Sequence, residues 1–222
     1  MSNGKLFVIE GAGDGIGKST QFSLITEKLK SEGERIIYHH FPSYGTYQGV
    51  PVEEYLRGNF GAPQDLSPYF IHSLYAQDRA ITWYTCLKDE YEMGKILLMD
   101  RYTTSSLLYQ AASIDDINKR KEFLNFASDY EYNKLGVKEP DNILFLYASF
   151  DLITEMRNKR KNNDGISEDI HETDLEFMKK VYDNAMFVAD YLNWDMINCE
   201  KNGVMRTKED IHEEVYKLVK RK

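Results

Sequence analysis

Short apolar, β-branched runs recur along the chain at residues 6–9, 35–38, 96–99, 143–147 and 195–198, and longer stretches with helix-period apolar positions separate them. Runs this short without polar alternation fit strands covered on both faces. Strands alternating with helices predict an α/β fold with a parallel five-stranded sheet flanked by helices. Such sheets bind ligands outside the carboxyl ends of their strands, so the loops beginning near Glu10, His39, Asp100 and Ala148 are expected to converge on one cleft. The sequence contains no internal repeat and no low-complexity tract, and the span 58–68 reads as a surface loop. Residues 1–222 are therefore expected to form a single domain.

Composition narrows the partners. A chain of 222 residues that is 42% hydrophobic can bury one substantial core. With 28 Lys and Arg against 36 Asp and Glu, the net charge of −8 repels polyanions and argues against nucleic acid and membrane partners. An anionic ligand would have to be held by a local cluster of cations. The two cysteines, Cys86 and Cys199, have no metal-ligand spacing and suggest no disulfide framework, which fits a reducing cytoplasm. Met1 leads into an apolar run too short for a signal-peptide core, and no run reaches membrane-spanning length.

Chemistry begins directly after the first strand, at Gly11-Ala12-Gly13-Asp14-Gly15-Ile16-Gly17-Lys18-Ser19-Thr20. A strand, a glycine-rich turn and a helix start together form a phosphate cradle. Glycines let backbone N–H groups turn inward, and the helix N-terminus adds partial positive charge. Gly13, Gly15, Ile16, Gly17, Lys18, Ser19 and Thr20 are the expected ATP contacts, with Lys18 reaching the outer phosphates and Ser19 ligating Mg²⁺. The first glycine of the usual pattern falls on Ala12, so either alanine replaces it or the loop carries one extra residue. The strand at 96–99 ends in Asp100-Arg101. Asp100 is placed to hold the metal directly or through water, and Arg101 to fork onto a second phosphate. An ion pair closing the strand end is the plainer alternative.

The chain resembles thymidylate kinase over essentially its whole length. The motifs are Glu10-Gly11 with Asp14 four residues before Lys18, Phe41-Pro42, Asp78-Arg79, Asp100-Arg101-Tyr102 with Ser105 and Tyr109-Gln110, and Gly136-Val137-Lys138-Glu139-Pro140-Asp141. The resemblance implies a P-loop fold of the nucleoside monophosphate kinase type, with ATP and dTMP as substrates, Mg²⁺ as cofactor and a homodimer as the usual assembly. It implies that Tyr75 stacks on thymine, Arg79 donates to its O4, Asp14 bonds the sugar 3′-hydroxyl, Ser106 or Gln110 touches the base, and Tyr109 occupies the space of a ribose 2′-hydroxyl. Phe41 would pack near the base or sugar, although Phe-Pro after a strand equally fits a turn with a buried aromatic. His72, Tyr75 and Arg79 would share one helical face.

Arg157, Lys159, Arg160 and Lys161 form a basic cluster at the end of an expected helix, which Asn162 to Gly165 should break. Residues 157–170 therefore read as a lid, although charge runs are usually solvated surface. Asp14-Gly15-Ile16-Gly17 contains no arginine, so the sequence resembles the bacterial type, in which the lid supplies one. Arg160 is the expected catalytic arginine, and Arg157 is expected to stack on adenine. The catalytic set is thus Lys18, Asp100, Arg101 and Arg160. A phosphate monoester with a second pKa of about 6 needs no catalytic base. Two other functions remain open at this stage. One is a deoxynucleoside kinase, which would need a carboxylate base. The other is a nucleotide-binding relative without turnover.

Overall fold

The computed structural model describes residues 4–164 and 175–221, without the side chains of 160–164. In chain order the elements are β1 (Lys5–Gly11), α1 (Lys18–Ser31), β2 (Ile36–His40), α2 (Val50–Leu56) and α3 (Pro68–Thr82). A π turn at Trp83–Leu87 carries α3 into α4 (Lys88–Glu92), and β3 (Ile96–Asp100), α5 (Thr103–Ala112) and α6 (Ile117–Ser128) follow. A second π turn, Asp129–Lys134, precedes β4 (Asn142–Tyr147), α7 (Phe150–Asp164), α8 (Leu175–Tyr191), β5 (Asp195–Asn198), the hairpin β6 (Glu200–Lys201) and β7 (Val204–Met205), and α9 (Lys208–Lys220).

Five strands form one sheet in the order β2-β3-β1-β4-β5, with every pairing parallel. The continuous apolar runs arise because both faces are covered. Phe7 and Ile9 of β1 pack with Phe22, Ile25, Leu107, Val188 and Val215 on one side. Leu6 and Val8 pack with Trp83, Leu87, Met99 and Tyr102 on the other. Fully burying each such side chain contributes about 1.5–3 kcal/mol.

Register positions the chemistry. Ile9 and His40 both lie opposite Asp100, and Gly11 lies opposite Leu146, so the strands end side by side. Local signals start the helices: Ser67 caps α3 ahead of Pro68, and Asp116 accepts from the backbone N–H groups of Asn118 and Lys119 at the start of α6. Within the segment expected to end this helix, α7 runs through Asn162 and Asn163 to Asp164, and Gly165 lies outside the described residues.

Candidate active site

β1 runs through Gly11, and Ala12 N–H extends its ladder by donating to Leu146 O at 2.9 Å. The turning residues are therefore Gly13 to Gly17, and the irregularity at Ala12 is absorbed as the strand exits. Two glycines here answer to different demands. Gly15 has φ +91°, and a Cβ there would lie 3.2 Å from Arg157 N of α7, whereas Gly17 has φ +94° with open space around it. Gly15 thus permits a close approach of α7, and Gly17 supplies the left-handed turn before α1. The side chain of Ile16 is 2% exposed and belongs to the core. Ser19 and Thr20 are exposed in the first turn of α1.

The ends of β1 and β3 bring three charges together. Asp14 Oδ1 accepts from Arg101 Nη2 at 2.6 Å and lies 3.3 Å from Lys18 Nζ. Burial alone would raise the Asp14 carboxyl, but the guanidinium of Arg101, then the ammonium of Lys18, and more weakly Arg157 hold it far below the usual carboxylate range. Arg101 occupies φ +64°, a left-handed conformation uncommon for a non-glycine residue. Its guanidinium also sits 5.6 Å over the ring of Tyr109. Asp100 Oδ2 meets His40 Nδ1 at 3.0 Å, while Asp100 Oδ1 is buried and has no hydrogen-bond partner. An orphaned buried carboxylate oxygen is costly unless a further group satisfies it. Among the described residues no cluster of three or more His, Cys, Asp or Glu side chains could hold a metal, so a cation beside Asp100 would take most of its ligands from phosphate and water.

A second cluster lies behind this one. Arg79 is 1% exposed, and its Nε and Nη2 donate to the two carboxylate oxygens of Glu131 at 2.7 Å each. Nη2 also donates to Ser106 Oγ at 2.9 Å, and Nη1 donates to Tyr102 O at 3.3 Å. His72, Tyr75 and Arg79 all lie on α3 at one-face spacing, and different neighbours cover them. Tyr75 packs edge-on against Tyr55, with ring centres 6.3 Å apart. His72 is enclosed by Phe123, Phe126 and Tyr130. Phe41 is 2% exposed and packs on Tyr102, and Gln110 is buried one turn beyond Ser106 on α5.

Lys18, Asp14, Arg101, Tyr109, Asp100 and Arg157 are thus gathered at the sheet's carboxyl edge, and Arg79 with Ser106 forms the layer behind. Arg157 is 8% exposed on α7 and acts electrostatically on Asp14. The side chains of 160–164, Arg160 among them, and residues 165–170 of the expected lid lie outside the described residues. Three residues gain a place that sequence reasoning did not give them. Glu10, fully buried at the end of β1, accepts from Thr104 Oγ1 at 2.9 Å and Ser105 Oγ at 2.6 Å, fixing the first turn of α5. His40 and Glu131 are the others. Glu10 was readable as an acidic residue closing an apolar strand, while Glu131 carried no signal.

Comparison with known proteins gives one answer. The family model described as thymidylate kinase matches residues 9–211. A curated thymidylate kinase from Leifsonia xyli subsp. xyli is 36% identical over 107 residues, 48% of this chain and 49% of that protein. The chain thus spans about half the length of that curated relative. A solved structure of thymidylate kinase from Candida albicans superimposes with a TM-score of 0.72 at 22% identity, covering 100% of this chain and 93% of the other, which shows a shared fold.

Proposed function

Because the chain belongs to the thymidylate kinase family, we propose that it transfers the terminal phosphoryl group of ATP to dTMP, giving dTDP. The observation that carries this reading is the meeting of Lys18, at the start of α1, and Arg101, just after β3, on a single Asp14 oxygen at 3.3 and 2.6 Å. Two cations that converge on one anion within the protein are placed to receive two phosphate groups brought end to end. At neutral pH the acceptor phosphate is already largely unprotonated, its second pKa being about 6. The work left to the protein is alignment of two anions and neutralisation of the charge between them.

In this reading the turn from Gly13 to Gly17 and the start of α1 cradle the donor phosphates, with Ser19 and Thr20 at the helix N-terminus. Lys18 takes the outer donor phosphates and Arg101 the acceptor phosphate. Ser19 Oγ and Asp100 fit a hard divalent cation, since the second oxygen of Asp100 is buried and unpartnered. Mg²⁺ bound by these two side chains would supply charge neutralisation for the phosphates. Arg79, Ser106 and Gln110 serve the base, Tyr75 stacks on it, and Phe41 lies behind. Tyr109 supports Arg101 and crowds the sugar, and Asp14 releases its cations to meet the 3′-hydroxyl. Arg157 and Arg160 act from the lid side.

Residues 1–222 act in this proposal as one cytoplasmic kinase unit. Among the described residues no helix is long and apolar enough to cross a membrane. A homodimer is proposed through the region around α3, where Tyr69, Phe70 and Phe126 are each at least 40% exposed. Light scattering after size-exclusion chromatography tests it, and a monomeric mass counts against it.

The test of function is an ADP-release assay with Mg-ATP against nucleosides and nucleoside monophosphates. Release that depends on dTMP is expected. Release with thymidine but not dTMP would indicate a nucleoside kinase instead.

A further inference from the structure

The carboxylate of Glu131 is fully buried and stands inside a ring of donors. Its Oε2 accepts from Arg79 Nε at 2.7 Å and Thr103 Oγ1 at 2.8 Å, and its Oε1 accepts from Arg79 Nη2 at 2.7 Å. His72 Nε2 lies 3.7 Å from Oε1. A bidentate grip of this kind fixes the plane of a guanidinium as well as its position.

That fixed plane determines what is left for a ligand. A guanidinium has five N–H donors. Arg79 spends two on Glu131, one on Ser106 Oγ and one on Tyr102 O, leaving one on Nη1. Ser106 accepts from the cation, so its own hydroxyl proton is uncommitted among the described contacts. Both remaining groups are donors. A base that offers a carbonyl oxygen to this layer is accepted, and one that offers an amino group meets donor against donor. With no carboxylate at position 131, the guanidinium could turn its fork elsewhere, and the Ser106 hydroxyl could rotate to accept instead.

We propose that Glu131 is the positioning residue for acceptor-base selection, holding Arg79 and Ser106 as a pair of hydrogen-bond donors that favours a pyrimidine with a 4-carbonyl over one with a 4-amino group. The proposal rests on the reading above, in which the acceptor base lies against Arg79 and Ser106. Glu131 acts through Arg79 and touches no reacting atom. Nothing in residues 129–134 marks it for this role in the sequence, because it reaches Arg79 from 52 positions away.

The experiment is steady-state kinetics of Glu131→Gln, Glu131→Asp and Thr103→Val with dTMP and dCMP, alongside the KM for Mg-ATP. Glu131→Gln turns one accepting oxygen into a donor facing Arg79 and Thr103. A hydrogen bond to a charged group is worth about 10- to 100-fold, so kcat/KM for dTMP should fall by that amount. For dCMP it should change little, the KM for Mg-ATP should hold, and the preference for dTMP should narrow. Glu131→Asp keeps the charge and should restore part of the preference. If Glu131→Gln fails to fold, Thr103→Val decides, since it removes one bond to the carboxylate without stranding a buried charge. A narrowed preference in that variant supports the proposal. An unchanged preference, or equal loss for both acceptors, overturns it while the kinase reading stands. A wild-type protein that phosphorylates neither acceptor removes the reading and the proposal together.

Discussion

Replacing Asp14 with asparagine should tighten the binding of simple phosphate anions. The Asp14 carboxylate occupies Arg101 at 2.6 Å and Lys18 at 3.3 Å, so an incoming phosphate must first displace it. Hydrogen bonds to charged groups contribute about 1.5–3 kcal/mol. The side chains of Asp14 and Arg101 are 27% and 21% exposed, so water screens part of that, and about 2 kcal/mol is a fair total for the competition. Removing it predicts pyrophosphate binding about 30-fold tighter. Isothermal calorimetry of both proteins with magnesium-free pyrophosphate measures the difference, which should shrink as salt screens the pair. The variant should also lose turnover with dTMP, whose sugar it no longer accepts. Its stability deficit has a definite pH window. The folded-state carboxyl is held far below its ordinary value, so Asp14 contributes stability above about pH 4 and loses it on acidification. The two proteins should converge in stability below that point. Equal pyrophosphate affinity for both at low salt would refute the competition.

Other substitutions test neighbouring parts of the account. Gly15→Ala and Gly17→Ala each force alanine to a φ above +90°, at about 1–2 kcal/mol, but only Gly15→Ala also presses on the Arg157 backbone at 3.2 Å. Thermal melts should show the larger loss for Gly15→Ala, and the reverse order would contradict the packing of α7 on the loop. His72 is fully buried with neither ring nitrogen hydrogen-bonded, and burial lowers its pKa to about 4, with Arg79 adding to the shift and Glu131 opposing it. A lowered histidine pKa contributes stability above the ordinary value of 6.5 and loses it as pH falls towards 4, by about 3 kcal/mol. His72→Phe should fill the aromatic slot and remove that pH dependence from urea melts. A variant whose stability still falls as steeply over this range would place the proton elsewhere.

The three central strands are readable in the sequence because burial on both faces leaves no polar alternation in 6–9, 96–99 or 143–147. Once those strands are parallel, Lys18 and Asp100-Arg101 have to emerge at one edge, and the first cluster of the site follows. The second cluster is less legible for a physical reason. Glu131 lies in Asp129-Tyr130-Glu131-Tyr132-Asn133-Lys134, a polar segment that reads as solvated surface. Its burial is decided by a partner 52 residues earlier. Helical spacing puts His72, Tyr75 and Arg79 on one face, yet packing of α6 and the second π turn encloses His72 and Arg79 while Tyr75 turns to Tyr55. Periodicity predicts a face without saying what covers it. The catalytic role expected of Arg160 is carried by sequence and resemblance alone.

The most direct measurement is calorimetric titration with an adenosine–thymidine dinucleotide bridged by five phosphates, a single molecule that spans donor and acceptor positions. If Lys18 and Arg101 grip the two ends of one phosphate chain, it should bind at one per chain and at least about 100-fold more tightly than ATP or dTMP alone. Arg101→Ala should abolish that advantage while leaving ATP affinity close to wild type. Binding no tighter than ATP, and indifferent to Arg101, would contradict the account.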